Sequence, residues 1–165
     1  MTDTTGWNNA SKENLKKLSG LKFYIEEQEA DFRITAADRA KLSSVFENNN
    51  ILRKKISDYC QQKCIASGSE YNPSFFAAVE CDVSETYIRK IIRGDKPVSR
   101  KFLGQFCVGM GLTPEETDEL FALTGKKLVF GYTYFDSITM CAVRDGDNIE
   151  DYLRDLEFYS DSSIR

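Results

Sequence analysis

The sequence predicts an all-α fold, and three observations carry that expectation. Apolar residues recur at three- and four-residue spacing through most of the 165-residue chain, which is the period of one helix face. Capping residues stand ahead of several of these stretches, twice with proline at the first helical position. No convincing multi-strand alternation and no repeat at a solenoid period interrupts the pattern.

Taken in order, residues 1–9 are polar, rich in Thr and Asn, and expected to fray. Leu15, Leu18, Leu21 and Ile25 mark a helix within residues 12–30, with Gly20 as a point of interruption. Thr35 with Asp38 resembles a capping box in which Asp replaces the usual Glu, and a helix is expected over 36–47. Asn48, Asn49 and Asn50 signal a turn. Leu52, Ile56, Tyr59, Cys60 and Cys64 trace the next amphipathic helix, broken by Ser67-Gly68-Ser69. Asn72-Pro73 starts another over 75–81, Asp82 occupies the following turn, and Ser84 caps the helix after it.

Gly94 is expected to end that helix in a left-handed conformation, with Pro97 preventing its continuation. Ser99 caps a helix whose apolar face is Phe102, Leu103, Phe106, Cys107 and Met110. Thr113-Pro114-Glu115-Glu116 combines a cap, a proline and a capping-box Glu. Leu120, Phe121 and Leu123 pack that helix, and Gly125 stops it. Residues 126–132 form a connector in which Leu128, Val129 and Phe130 are read as briefly extended. Thr133 with Asp136 opens a helix carrying Phe135, Ile138, Thr139 and Ala142, ended by Asp145-Gly146. Asp147 with Glu150 opens the last one, with Ile149, Leu153, Leu156 and either Phe158 or Tyr159 facing inward.

The bulk composition, 41% hydrophobic and 29% charged, is that of a soluble globular protein. The net charge is −4, so the molecule as a whole is not a basic coat for nucleic acid. Its charge is polarised, however. Residues 85–101 hold six basic and two acidic side chains, a local balance of +4, whereas residues 133–165 hold three basic and eight acidic ones, a balance of −5. Local charge governs docking, and the acidic tail is expected to face away from DNA. No charged-then-apolar leader opens the sequence and no apolar run approaches about 18 residues, so neither a secretory segment nor a membrane span is expected. Five cysteines without an extracellular cue suggest free thiols in a reducing cytosol. Histidine is absent, which removes the commonest general base and the commonest zinc ligand.

The most informative stretch is 74–93. Ile88, Ile91 and Ile92 fall at helical spacing and point to a core, while Thr86, Arg89, Lys90 and Arg93 line the opposite side of the same helix. A helix anchored on one side and cationic on the other suits the DNA major groove, which admits one α-helix.

Residues 72–125 resemble the Cro/repressor-type helix-turn-helix family, also called the xenobiotic-response-element type. The resemblance lies in a small residue, Ala78, at the helix–helix contact, in Val83 after the turn, and in buried Ile88 and Ile91. It extends to the helix-stop segment Arg93-Gly94-Asp95-Lys96-Pro97-Val98-Ser99 and to the junction Gly109-Met110-Gly111-Leu112-Thr113-Pro114-Glu115-Glu116. It implies a five-helix domain over about 51–125, preceded by a helical extension (1–50) that belongs to no family we identify. An acidic helical extension (126–165) follows, with looser similarity to about 159. Asp82 replaces the family's usual turn glycine, and the link 65–71 is longer than usual.

The resemblance implies that helix 84–93 enters the major groove by its N-terminal end, placing Ser84, Glu85, Thr86 and Tyr87 nearest the bases or flanking phosphates. Arg89 is the first choice for base reading, since a guanidinium can bond guanine O6 and N7 together. Thr86 suits a thymine methyl or a phosphate. Lys90, Arg93, Lys96, Arg100 and Lys101 suit phosphates, as do Asn72 and Ser74 at the first motif helix's N-terminus. Glu85 either accepts from cytosine N4 or complements the helix dipole. The expected activity is that of a cytoplasmic transcriptional repressor, a homodimer on a twofold operator of double-stranded DNA. It needs no cofactor or metal and has no enzymatic role. The alternative is a protein-interaction module on the same fold, such as an antitoxin or an inhibitor of a host or defence enzyme, gripping its partner by the N-terminal helices or the acidic tail.

Other constellations have plainer roles. Cys60 and Cys64 lie one helical turn apart, but two thiolates without a second pair make a poor zinc site, and small buried hydrophobes are the expected use. Phe130, Tyr132, Tyr134 and Phe135 can form a ligand cage, but helix packing or a subunit interface suits them better.

Overall fold

The computed structural model describes residues 34–164, with side chains as far as Tyr159. The expectations for residues 1–9 and 12–30 lie outside the described residues. Among the described residues the secondary structure is helical, without a strand. The helices are α1 (Ala36–Ser67), α2 (Pro73–Cys81), α3 (Glu85–Arg93), α4 (Arg100–Gly109), α5 (Pro114–Leu123), α6 (Tyr134–Asp145) and α7 (Ile149–Ile164). None of the described helices is long and apolar enough to cross a membrane. The chain divides into two compact units, residues 1–43 and 44–165; the first is described only where α1 begins, with Thr35 and Asp38 capping each other reciprocally.

The expected turn at Asn48–Asn50 does not form. Helix α1 runs unbroken for 32 residues. Asn is a weak helix former, but its cost of roughly half a kcal/mol per residue is small beside the tertiary packing that follows. Leu52, Ile56, Cys60 and Cys64, four residues apart, are all buried, and the Asn50 side-chain oxygen Oδ1 accepts from Arg53 instead of bonding a turn. The helix ends where glycine permits it, at Gly68 with φ +72°.

The caps read from sequence are present downstream. Asn72, Ser84, Ser99 and Thr113 each accept a backbone N–H three residues on, and Glu116 completes a capping box with Thr113. Each such cap stabilises its helix by about 1 kcal/mol. The last helix departs from expectation by one residue: Asn148 accepts from Asp151 N–H at 2.8 Å, in place of the Asp147–Glu150 pair. The connector contains no strand; Tyr132 N–H closes a turn onto the Val129 carbonyl, and only Leu128 of the apolar trio is buried.

Helix α4 organises the core. It packs against α2, α5, α6 and α7, and every residue from Phe102 to Val108 is buried. Two glycines make these approaches possible. A Cβ on Gly109 would lie 2.5 Å from the Glu80 carbonyl oxygen and 2.8 Å from Cys81 Cα, so α4 meets the end of α2 backbone to backbone. A Cβ on Gly104 would lie 2.5 Å from the Tyr152 hydroxyl, so the same helix admits α7 elsewhere on its surface. Tyr152 is fully buried, and its hydroxyl bonds Thr139 at 2.6 Å. It is the inward aromatic of α7. Phe158 and Tyr159, the expected candidates, are exposed, because the inward stripe runs through Ile149, Tyr152, Leu153 and Leu156.

All five cysteines are free, and four of them are buried. Burial pushes the Cys60 and Cys107 thiols up to about 12 and raises Cys81 as well.

Three expectations follow. Gly109→Ala forces backbone apart and should cost about 2 kcal/mol, at the scale of an overpacked core, measured as a lower urea midpoint with unchanged slope. The raised thiols contribute stability that is complete below their unfolded pKa near 9 and is lost as pH climbs toward about 12. Stability should therefore fall through that alkaline window. In the same protein at pH 8, a thiol reagent should label half-exposed Cys141 well before the other four; simultaneous labelling of all five would contradict this packing.

Candidate nucleic-acid interface

Helix α3 is short, capped at both ends and strongly two-sided. Ser84 accepts from Tyr87 N–H at 3.1 Å, and Gly94 closes the helix at φ +87°. Ile88 and Ile91 are fully buried and Ile92 packs beside them, whereas Thr86, Arg89 and Arg93 are exposed and Lys90 is half-buried. Lys90 and Arg93 in the last turn also complement the negative end of the helix dipole. Tyr87, expected nearest the bases or flanking phosphates, packs its ring edge-on against Phe102 at 5.4 Å, on the core side.

The geometry between α2 and α3 is fixed from two directions. Asp82 takes a left-handed conformation (φ 57°, ψ 48°) that glycine adopts most readily and that Asp tolerates better than most residues. Val83 N–H then bonds the Ala78 carbonyl at 3.0 Å. From the other side, buried Gln105 of α4 donates to the Cys81 carbonyl at 3.1 Å. Sequence reasoning missed Gln105. Its signal was a lone amide inside an otherwise apolar helical stretch.

Four of the expected site residues meet where α2 begins. Glu85 Oε2 accepts from Arg89 Nη2 at 2.6 Å and Nε at 3.1 Å, and the Ser74 hydroxyl lies 3.2 Å from the same oxygen. Ser74 also sits 2.9 Å from Asn72 Oδ1, the cap of α2. Asn72, Ser74 and Arg89 line a cavity of about 260 Å³ with Ser57, Cys60 and Gln61 of α1. Glu85 thus has both a first-turn position on α3 and two side-chain partners, an arrangement that uses its carboxylate inside the protein.

The Glu85–Arg89 pair uses the Nε–Nη2 edge of the guanidinium and leaves Nη1 and the outer Nη2 hydrogen available, since the group carries five N–H donors. The side chain is held along one edge of its guanidinium and stays about half exposed. An i,i+4 pair with Arg89 about half exposed contributes only about 0.3–0.5 kcal/mol. A bidentate guanine contact discriminates by about 1–3 kcal/mol, so the pair can orient Arg89 without preventing such a contact.

The remaining cations diverge. Arg93 pairs with Asp95 at 3.0 Å, both exposed, and Lys96 is exposed in the loop that follows. Arg100 turns inward: it donates to the Lys126 carbonyl at 2.6 Å, lies over the Phe121 ring at 5.0 Å, and pairs with buried Asp136 at 3.4 Å. Asp136 also accepts from Val129 N–H and the Thr133 hydroxyl, so this cluster fastens the connector to α4 and α6. Lys101 lines a separate groove with Leu153, Leu156 and Glu157. Among the described residues there is no group of three or more Cys, Asp or Glu placed to hold a metal ion.

Arg100→Ala leaves Asp136 without its cation. Partial exposure of the arginine reduces the full penalty of a broken buried pair, and a loss of about 2 kcal/mol in urea denaturation is expected. A variant as stable as the parent would remove the fastening role.

No family model, no curated protein and no solved structure matches the chain, so function is argued from the geometry of α2, α3 and their surroundings.

Proposed function

We propose that the chain is a sequence-specific DNA-binding regulator of the Cro/repressor helix-turn-helix type, acting as a repressor and docking α3 in the major groove. The observation that carries this reading is the two-sidedness of α3: its isoleucines are buried while Thr86, Arg89 and Arg93 face outward, with Arg89 oriented by Glu85. Arg89 reads a guanine edge, and Thr86 contacts a thymine methyl or a phosphate. Ser84 and the backbone amides at the starts of α2 and α3, beside Asn72 and Ser74, hold phosphates. Lys90, Arg93 and Lys96 neutralise phosphates along the groove edge. Arg100 and Tyr87 support the head from within. A second copy on a twofold operator doubles the number of bases read, which one nine-residue helix limits.

The test is selection from randomised duplexes at about 150 mM salt, where long-range attraction between exposed charges is largely screened. Enrichment of an inverted repeat is expected. Arg89→Ala should then lose roughly ten- to hundredfold discrimination at one base position, while Lys96→Ala should weaken all duplexes evenly and lower the salt slope by about 1. No enrichment, together with binding that ignores salt, would remove the DNA reading and leave the fold as a protein-interaction module of the antitoxin or inhibitor kind.

A further inference from the structure

Within the head, Arg93 pairs with Asp95 and Arg100 turns inward to Asp136. Two further cations stand outside it, on the connector between α5 and α6. Lys126 and Lys127 are both exposed, and neither forms an ion pair among the described residues. Their place in the fold is fixed by what surrounds them. The Lys126 carbonyl accepts from Arg100 Nη1 at 2.6 Å, which seats the connector against the first residue of α4. Leu128 is buried, and Val129 N–H bonds the Asp136 carboxylate at 3.0 Å. The Lys126 ammonium lies 3.7 Å from the centroid of the Tyr132 ring, a cation–π contact that restrains its side chain. Asp136 does not cancel the two lysines, because it is itself buried and already paired with Arg100.

We propose that Lys126 and Lys127 form a second phosphate-binding surface, gripping the duplex backbone beside the segment that α3 reads. The inference rests on the DNA reading of α3 and adds a contact outside the helix-turn-helix. The nine residues of α3 rise about 13 Å, close to the major-groove width of about 12 Å. The end of α3 therefore reaches a bordering strand, where Arg93 and Lys96 meet phosphates. Residues 94–99 carry the chain from that point to Arg100, and the guanidinium of Arg100 touches the connector. Lys126 and Lys127 thus continue the cationic surface past the head. Two cations matter here because affinity rises steeply with each phosphate neutralised. The seat matters too, since a connector already held by Arg100 and Asp136 loses little freedom on binding. Phosphate contacts carry no sequence information, so this surface strengthens binding to every duplex and leaves base preference to Arg89.

The test is the salt dependence of binding by the full chain to two duplexes of equal length, one enriched by selection and one of scrambled sequence. The double variant Lys126→Ala with Lys127→Ala should bind both roughly tenfold more weakly at about 100 mM salt, with both salt slopes shallower by about 2. The ratio between the two duplexes should stay as in the parent. Lys126→Arg with Lys127→Arg keeps the charge and should keep the parent slopes. Arg154→Ala removes an exposed cation from α7 and should leave the slopes alone. Unchanged slopes in the double alanine variant overturn the inference. So does an equal loss in Arg154→Ala, which would reduce the effect to net charge. The two claims fail separately. A chain that prefers the enriched duplex, yet keeps its slopes without the lysines, retains the DNA reading and loses this surface. A chain that prefers no sequence, yet loses slope with the lysines, retains this surface and loses base reading by α3. Binding that ignores salt removes both.

Discussion

The position of α3 depends on how closely α4 can approach the end of α2. Gly109 lets the two backbones touch where any side chain would lie 2.5 Å from the Glu80 carbonyl oxygen, and Gln105 supplies the hydrogen bond that the Cys81 carbonyl would otherwise lack. A buried carbonyl without a partner costs about 1–3 kcal/mol, so the contact and the amide are needed together. With α2 held in this way, Asp82 in its left-handed conformation sets the direction in which the chain leaves the turn. Ile88 and Ile91 then complete the core from α3, and the outward side of that helix has little freedom to rotate. A glycine inside a helix costs about 1 kcal/mol relative to alanine. Helix α4 carries that cost at Gly104 as well as at Gly109, and in return it packs against helices in more than one direction.

This arrangement explains how an acidic chain can carry a basic head. The cations of residues 85–101 are not equivalent once folded. Arg100 is committed to Asp136 and the connector, Lys101 to another groove, and Arg93 faces Asp95. In the proposed reading the useful charge is therefore smaller than the sequence balance of +4 suggests. Affinity for a duplex rises steeply with the number of phosphates neutralised, so a head with few free cations gains little from non-specific attachment. Its discrimination then rests on the oriented tip of Arg89 and on pairing two heads.

Much of the fold is legible in the sequence because its helix boundaries are written in side chains that act locally. Asn72, Ser84, Ser99, Thr113 and Thr133 cap in the structure as their positions indicate, since a cap needs only the next three residues. What failed to read was decided at longer range. The asparagines of α1 carry a turn signal that packing at Leu52 and Ile56 overrides. Tyr152 is inward because Gly104 leaves room for it and Thr139 bonds its hydroxyl, and both partners are remote in sequence. At the candidate site the stripe of Thr86, Arg89, Lys90 and Arg93 was readable from helical period alone. The inward turn of Arg100 was not, because Asp136 lies 36 residues away.

The placement of Glu85 bears on how such a head would tell one sequence from another. A free arginine on a helix surface samples many rotamers, and fixing it on a base costs up to about 2 kcal/mol of side-chain entropy. That is comparable with the 1–3 kcal/mol a bidentate contact provides. Because Glu85, itself bonded by Ser74, holds one edge of the guanidinium before any duplex arrives, part of that entropy is already lost in the free protein. In this reading one weak surface ion pair, negligible for stability, contributes to selectivity by restricting how Arg89 can point.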